Sequence, residues 1–328
     1  MKALVTGATG FIGSHLADLL HERGLEVRCI ARKKSNMRWL KDKPYEIVRA
    51  SLDDPEALAE AVKGVDYVFH IAGVTFAKDY DEFLKGNRDG TLNLLRAVEE
   101  HNPGIKRFLF MSSQTVAGPS VSLDNPVDET SECKPLTSYG KSKKAAEDQV
   151  LKFKDKFPIT IIRASAVFGP RDEEIFKIFK AAQMGVGTIV GFKPKYLSLI
   201  QSGDLVRGCV DAAFSDNTIG ETYFISSDEF YTWPQLIEVI REAVGKKYIF
   251  KIRLPHIVVL TAAAISQILG TFSKKPPVFN YEKGVDFIQN YWICSVDKAK
   301  KDFGYKQELT IEDSIREAID WYKENKWL

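Results

Sequence analysis

The 328-residue sequence predicts an α/β protein: a doubly wound parallel sheet followed by a smaller, mixed C-terminal lobe. Three observations predict it. Short apolar runs alternate with amphipathic helical patterns through the first half, as in a parallel sheet with helices on both faces. A glycine-rich turn joins the first apolar run to the first helix. Beyond Gly169-Pro170 the alternation gives way to shorter, less regular elements.

Taken in order, strands are expected at Lys2–Thr6, Glu26–Ala31, Tyr45–Arg49, Asp66–Ile71, Arg107–Ser112 and Ile159–Ala164. Helices are expected between them at Ile12–Arg23, Pro55–Val62, Gly90–His101 and Tyr139–Phe157. Asp54-Pro55-Glu56 reads as an N-cap with proline at the first helical position. Further on, a strand pair is expected near Ser198–Ile200 and Thr222–Ile225, and a closing helix over Thr310–Trp327. In that helix Ile311, Ile315, Ala318, Ile319 and Tyr322 recur near helical spacing. With no repeat and no low-complexity linker, the second half reads as a lobe packed on the first.

Composition narrows the function. A hydrophobic fraction of 45%, a charged fraction of 27% and a net charge of +2 describe an ordinary soluble globular protein and give no reason to expect nucleic acid. The four cysteines are scattered, with no Cys-x-x-Cys and no histidine at ligand spacing, so neither a disulfide framework nor a metal site is expected. Because a strand-like run opens the sequence, no signal peptide and a cytoplasmic location are expected. Leu254–Ser273 contains no Asp, Glu, Lys or Arg over a length near the roughly 20 residues a bilayer span needs. Its Pro255, His256, Ser266, Gln267 and Gly270 suit a lipid-facing helix poorly, so a buried helix of the second lobe is expected in preference to a membrane contact.

Thr6-Gly7-Ala8-Thr9-Gly10-Phe11-Ile12-Gly13 sits where the first strand ends and the first helix begins. Gly7 permits the tight turn, Gly10 lets backbone approach a pyrophosphate, and Gly13 lets helix pack on strand. Thr9, Phe11 and Ile12 complete this dinucleotide-binding candidate, whose helix N-terminus presents N–H groups to phosphate. About 20 residues on, where a carboxylate would hold the ribose hydroxyls of NAD, the sequence has Ala31-Arg32-Lys33. Arg32 favours the 2′-phosphate of NADP, with NAD as the alternative. Leu52 and Asp53, ending the third strand, are placed at the adenine edge. Ala72 and Gly73, after the fourth, let the chain pass close to the cofactor. His70 reads as a hydrogen-bonded structural residue.

Tyr139 and Lys143 lie one helical turn apart on one face. A tyrosine with its usual pKa of about 10 is a poor base at neutral pH, but a neighbouring ammonium favours the phenolate. Tyr139 then exchanges a proton with a substrate oxygen, and Ser113, at the end of the fifth strand, hydrogen-bonds the same atom.

These residues together resemble the extended branch of the short-chain dehydrogenase/reductase superfamily, over nearly the whole chain. Thr6-Gly7-x-x-Gly10-x-x-Gly13, Asn87, Met111-Ser112-Ser113, Tyr139-x-x-x-Lys143, Arg163, Val167-Phe168-Gly169-Pro170 and Trp321-Tyr322 occur in that family's order. The resemblance implies a Rossmann-type nucleotide domain over residues 1–170, with sheet additions from about 198–226, and a mostly substrate-binding lobe over 171–328. It further implies that Lys143 holds the nicotinamide ribose, that Val167 lines the nicotinamide, and that Asn87 orders the central helix. A homodimer through the helices at Gly90–His101 and Tyr139–Phe157 is implied as well. Ala164, where the branch often has proline, is one departure.

Three functions compete within that resemblance. The first is a dehydrogenase or reductase acting on a secondary alcohol or ketone of a lipophilic small molecule, similar to dihydroflavonol reductases and 3β-hydroxysteroid dehydrogenases. The apolar stretch Leu254–Ser273 and Pro276-Pro277-Val278-Phe279 favour it. The second is a nucleotide-sugar epimerase with bound NAD, against which stand Val116-Ala117-Gly118 and Arg32. The third is a cofactor-binding regulator without turnover, which the intact Ser113, Tyr139 and Lys143 disfavour. A 4,6-dehydratase would need Asp-Glu where this chain has Gln114-Thr115. Lys193 and Lys195 could meet a diphosphate, though a solvated loop is the simpler reading.

Overall fold

The computed structural model describes residues 1–271 and 279–328. The first half runs β1 (Lys2–Thr6), α1 (Phe11–Glu22), β2 (Glu26–Ile30), β3 (Glu46–Val48), α2 (Pro55–Val62), β4 (Tyr67–His70), α3 (Tyr80–Phe83), α4 (Gly90–His101), β5 (Arg107–Ser113), α5 (Ser138–Leu151) and β6 (Ile159–Ala164). There follow β7 (Ala166–Phe168), α6 (Phe176–Gln183), β8 (Val186–Val190), β9 (Tyr196–Gln201), α7 (Ser202–Phe214), β10 (Thr222–Ile225), β11 (Phe230–Thr232) and α8 (Trp233–Ala243). Last come β12 (Phe250–Leu254), α9 (His256–Thr271), α10 (Tyr281–Ile288), β13 (Tyr291–Trp292), α11 (Asp297–Phe303) and α12 (Ile311–Glu324).

Among the described residues a seven-stranded sheet has the order β10-β6-β5-β4-β1-β2-β3, with every pairing parallel. The order reverses between β1 and β4, where doubly wound sheets open a ligand crevice at the strand C-termini. The strands read as unbroken apolar runs because both faces are covered. Ala3, Val5, Phe69, Leu109 and Met111 pack with Leu16 and Leu20 of α1 and with Leu205, Cys209 and Val210 of α7. The alternate positions Leu4, Val68, Phe108 and Phe110 pack with α2, α4 and α5 through Leu58, Leu94, Leu95 and Val150. Full burial of a side chain of this size contributes about 1.5–3 kcal/mol.

Local signals set several boundaries as expected. Asp54 accepts the Ala57 N–H at 3.1 Å, and Pro55 opens α2. Thr137 accepts the Gly140 N–H at the start of α5. Three expectations are corrected. The helix from Tyr139 stops at Leu151, and the residues up to Phe157 form turns. Ser198–Ile200 and Thr222–Ile225 do not pair with each other. Thr222–Ile225, as β10, extends the central sheet beside β6, whereas β9 joins β7, β11 and β13 in a separate small sheet.

The third correction concerns the uncharged stretch. Its described part forms α9, as expected of its pattern, but among the described residues of the stretch only Val259 and Ala263 are buried. Hydropathy reports composition, and an apolar helix is buried on every side only where neighbours surround it. No helix among the described residues is long and apolar enough to cross a membrane. Ser273 and Pro276-Pro277-Val278 lie outside the described residues. The rest of the second half has its own core, in which Phe168, Phe179, Leu236, Ile240, Ile315 and Tyr322 meet.

Candidate active site

The glycine turn is built as its spacing requires. Gly7 has φ +74°, and a Cβ there would stand 2.7 Å from the Ala72 nitrogen. A Cβ at Gly13 would stand 2.3 Å from the Gly7 oxygen, so α1 rests directly on the end of β1. Gly10 caps α1 with no side-chain acceptor, leaving the first-turn N–H groups for a ligand. Two close backbone approaches and an uncapped helix N-terminus at the switch point fit a dinucleotide pyrophosphate. Thr9 is half-buried in the turn, Ile12 packs on the core, and the Phe11 ring meets His15 edge-on at 5.7 Å.

Around this cradle the other strand ends converge. Arg32 follows β2 and is exposed; its carbonyl accepts from Arg49 Nη1 at 3.3 Å. Asp53 is exposed, and the Ser51 hydroxyl, with the charges of Lys85 and Arg32, holds its carboxyl below the usual range. The Leu52 side chain packs against Gly90 at the start of α4, and its carbonyl accepts from Asn93 at 2.9 Å.

His70 is structural. Its Nε2 lies 2.9 Å from Thr91 Oγ1, which donates to the Asn87 carbonyl at 2.5 Å, so Nε2 carries the hydrogen. Thr6 Oγ1 then donates to Nδ1 at 2.7 Å and accepts the Ala72 N–H at 3.1 Å. Complete burial pushes the imidazole down to about 3 and keeps it neutral. Asn87 lies in a π-helical stretch, Leu84–Asp89, of a kind often found at functional sites. Its Oδ1 accepts the Val74 N–H at 2.7 Å, and its Nδ2 donates to Val74 O at 3.0 Å and to Ser142 Oγ at 2.8 Å. Asn87 thereby ties the segment after Ala72-Gly73 to α5. Gly73 leaves Asn87 Oδ1 and Lys143 Nζ uncovered, since a Cβ there would sit 3.3 and 3.8 Å from them.

Ser113, Tyr139 and Lys143 come together at the end of β5. A Cβ at Gly140 would stand 2.7 Å from the Thr115 oxygen, so the first turn of α5 lies against the turn after Ser113. Ser113 Oγ accepts from Thr115 N at 3.2 Å and from Thr115 Oγ1 at 2.9 Å, which leaves its own hydrogen to donate. Burial pushes the Tyr139 phenol up, and the hydrogen bond with Ser113 pulls it back down. Lys143 Nζ donates to Met111 O at 2.6 Å and lies 4.2 Å from the centre of the Phe110 ring. Burial pushes its ammonium down to about 7, while the charge of Glu147 opposes the fall.

Glu147 stands one turn beyond Lys143 and is buried. It accepts from Arg163 at 3.0 and 2.8 Å and from Ser112 Oγ at 2.5 Å. This buried pair fixes α5 on the sheet directly behind the lysine.

Beside Ser113 opens a cavity of about 480 Å³ whose walls include Phe168, Phe179, Leu197, Trp233, Phe287 and Trp292. Val167 packs toward the central core, and its neighbour Phe168 is the residue that reaches the cavity. Two wall residues escaped the sequence reading. Gln114 and Ser165 are buried, yet Gln114 Nε2 and Ser165 Oγ have no partner among the described residues. The only sequence signal was position: Gln114 follows Ser113, and Ala164, beside Ser165, is in register with Ser113. Lys193 is exposed as a loop residue would be, but Lys195 is not. It is buried and donates to the carbonyls of Ile288 and Gln289 and to Asn290 Oδ1, closing the end of α10.

Residues 3–210 match the model of the NAD dependent epimerase/dehydratase family. The chain is 28% identical to a ceramide reductase of Caulobacter vibrioides, covering 99% of this chain and 95% of that one. It is 29% identical to a 2-alkyl-3-oxoalkanoate reductase of Stenotrophomonas maltophilia, covering 96% and 98%. The crystal structure of a UDP-glucose 4-epimerase from Thermotoga maritima superimposes with a TM-score of 0.80 at 23% identity, covering 99% of this chain and 100% of that one.

Proposed function

The chain belongs to the NAD-dependent epimerase/dehydratase family, within the extended short-chain dehydrogenases/reductases, and we propose that it reduces or forms a ketone on a lipophilic small molecule. Tyr139 exchanges the proton at the substrate oxygen. Ser113 donates its remaining hydrogen to that oxygen, and Lys143 holds the cofactor ribose and biases the phenol toward ionisation. A bound nicotinamide supplies or accepts the hydride. The cradle of Gly7, Gly10 and Gly13 receives the pyrophosphate, and residues after 170 supply most of the substrate wall.

The observation that carries this reading is the cavity beside Ser113, whose walls are mainly aliphatic and aromatic. Relatives named for a ceramide and for an alkyl-oxoalkanoate support a substrate with long apolar parts. A nucleotide sugar would need free cations there for its diphosphate. Lys195 is already committed to the α10 carbonyls and Lys177 is paired with Glu174 at 3.1 Å, so of the wall lysines Lys283 alone has neither a carboxylate nor a carbonyl partner among the described residues, which weighs against the epimerase. The unpartnered Gln114 amide suits a second oxygen on the substrate near the reacting carbon. The test is NADPH oxidation with a panel of water-dispersed long-chain ketones, run beside UDP-sugar interconversion. Ketone-dependent oxidation supports the reductase; co-purifying NAD with sugar interconversion would replace it with the epimerase.

NADP is the proposed cofactor, because exposed Arg32 follows β2 at the position facing a ribose 2′-substituent. A charge-assisted hydrogen bond is worth about 1.5–3 kcal/mol, or roughly 10- to 100-fold in affinity. Fluorescence titration is expected to show NADPH bound at least tenfold more tightly than NADH. Arg32→Asp is expected to reverse the order. Equal affinities in the wild type would remove Arg32 from the site. Pairing of two copies through α4 and α5 completes the proposal.

A further inference from the structure

The helix expected to be buried lies at the surface instead, with one side packed on α10. Over His256–Thr271 it carries no Asp, Glu, Lys or Arg, yet Ile257 is 69% exposed, Ile265 53% and Leu269 64%. These residues, with exposed Val258, fall on one side at helical spacing. Val259 and Ala263 are the buried positions, and Ala263 lies against Gly284 of α10. At about 1.5 Å per residue, the described length of α9 falls short of the roughly 30 Å hydrocarbon core of a bilayer, which suits it to lie along a surface.

The stretch of sequence that contains it carries charge of one sign. Between Glu242 and Glu282 the sequence contains no Asp or Glu, but it contains Lys246, Lys247, Lys251, Arg253, Lys274 and Lys275, in a chain whose net charge is only +2. Lys251 is paired with Glu238 at 2.8 Å, but Lys246 and Lys247 are exposed, and neither has an ion pair among the described residues. Beside them Tyr248 is 70% exposed, and Phe250, the first residue of β12, is 60% exposed. Aliphatic residues on a helix face, preceded in the sequence by exposed lysines and aromatic residues, are the combination that interfacial helices use.

We propose that α9, with the preceding segment from Lys246, docks the protein on an anionic lipid bilayer. The aliphatic side enters the acyl boundary, and the lysines meet lipid phosphates. A second copy of this chain suits the face less well, because an isologous pairing would bring together two copies of Lys246 and Lys247, which have no ion pair among the described residues. The docking face also backs onto the cavity. α10, which packs on α9, contributes Lys283, Asp286 and Phe287 to the cavity wall. A substrate leaving the bilayer would then have about one helix diameter, roughly 10 Å, to travel. That last point rests on the lipophilic-substrate reading; the docking itself does not.

Sedimentation with phosphatidylcholine vesicles, with and without phosphatidylglycerol, tests the proposal. Wild-type protein is expected to pellet with the anionic vesicles and to be released progressively by salt. The double variants Ile265→Glu/Leu269→Glu and Lys246→Glu/Lys247→Glu are each expected to weaken binding at least tenfold. Both should retain the wild-type melting temperature and wild-type turnover of a short, water-soluble ketone. Wild-type protein that stays in solution with both vesicle types would overturn the proposal. So would an oligomer that the Ile265→Glu/Leu269→Glu variant splits, since a second copy would then cover α9. Vesicle binding without turnover of any ketone would leave the docking standing and remove the reductase reading.

Discussion

Tyr139→Phe is expected to lower turnover about a thousandfold while NADPH binds with nearly unchanged affinity, since a positioned proton donor contributes roughly 10²–10⁴-fold. The change removes one oxygen and little else. The ring keeps its contact with Phe83, whose centroid is 6.2 Å away, and Lys143 keeps its bond to Met111 O. Steady-state rates beside a fluorescence titration separate the two effects. A variant with more than a tenth of the wild-type rate would show that another group transfers the proton, and Ser113, which retains a hydrogen to donate, would be the first to replace next.

Glu147→Gln is expected to be the most damaging change at a residue outside the cofactor and substrate contacts. Removing one member of a buried ion pair leaves the other charge desolvated, at a cost of about 3–5 kcal/mol. Arg163 is that charge here, held by Glu147 at 3.0 and 2.8 Å. Chemical denaturation with Glu147→Gln and with the paired variant Glu147→Met/Arg163→Leu measures the effect. The paired variant should recover most of the loss, because no charge remains buried. If both unfold alike, the pair contributes only packing.

Glu147 also acts on Lys143. The ammonium, pushed down to about 7 by burial, loses its charge as pH rises through that value, and the Glu147 charge opposes the loss. Any Glu147→Gln protein that folds should therefore lose activity on the alkaline side at lower pH than the wild type.

How much of this was legible in the sequence depends on what each residue must touch. β1, β4, β5 and β6 are buried on both faces, so their apolar runs announced themselves without reference to any partner. Gly7 and Gly13 were legible for a related reason: each is obligatory where the backbone itself comes within 3 Å, and such contacts are local to β1, α1 and the end of β4. Tyr139 and Lys143 share a helix face, so their spacing carried the information. The family resemblance supplied the roles of Asn87 and Val167, which no local pattern carries. What escaped notice depends on long-range placement. Both Ser198–Ile200 and Thr222–Ile225 read as strands, but their partners were set by α7, which fills the interval and carries the chain from one sheet to the other. Lys195 reads like any loop lysine until α10 brings three acceptors to it. The exposure of α9 was invisible for the complementary reason: composition records what a helix prefers to touch, not whether anything is there.

The segment Gly169–Asp172, which follows Phe168 in the cavity wall, is held by two helices far apart in the sequence, α1 and α12. His15 donates to Pro170 O at 2.7 Å, and Asp18 pairs with Arg171 at 2.7 Å, both from α1. From α12, Tyr322 Oη donates to Gly169 O at 2.8 Å and Asp172 O at 3.0 Å. During synthesis, then, the nucleotide cradle and the Ser113–Tyr139–Lys143 cluster emerge from the ribosome long before the turn beside them can be fastened. A nascent chain halted short of Tyr322 would carry every residue assigned here to chemistry and still lack the clasp at Gly169. Competence is in this sense acquired only once Tyr322 has emerged and α12 can reach back.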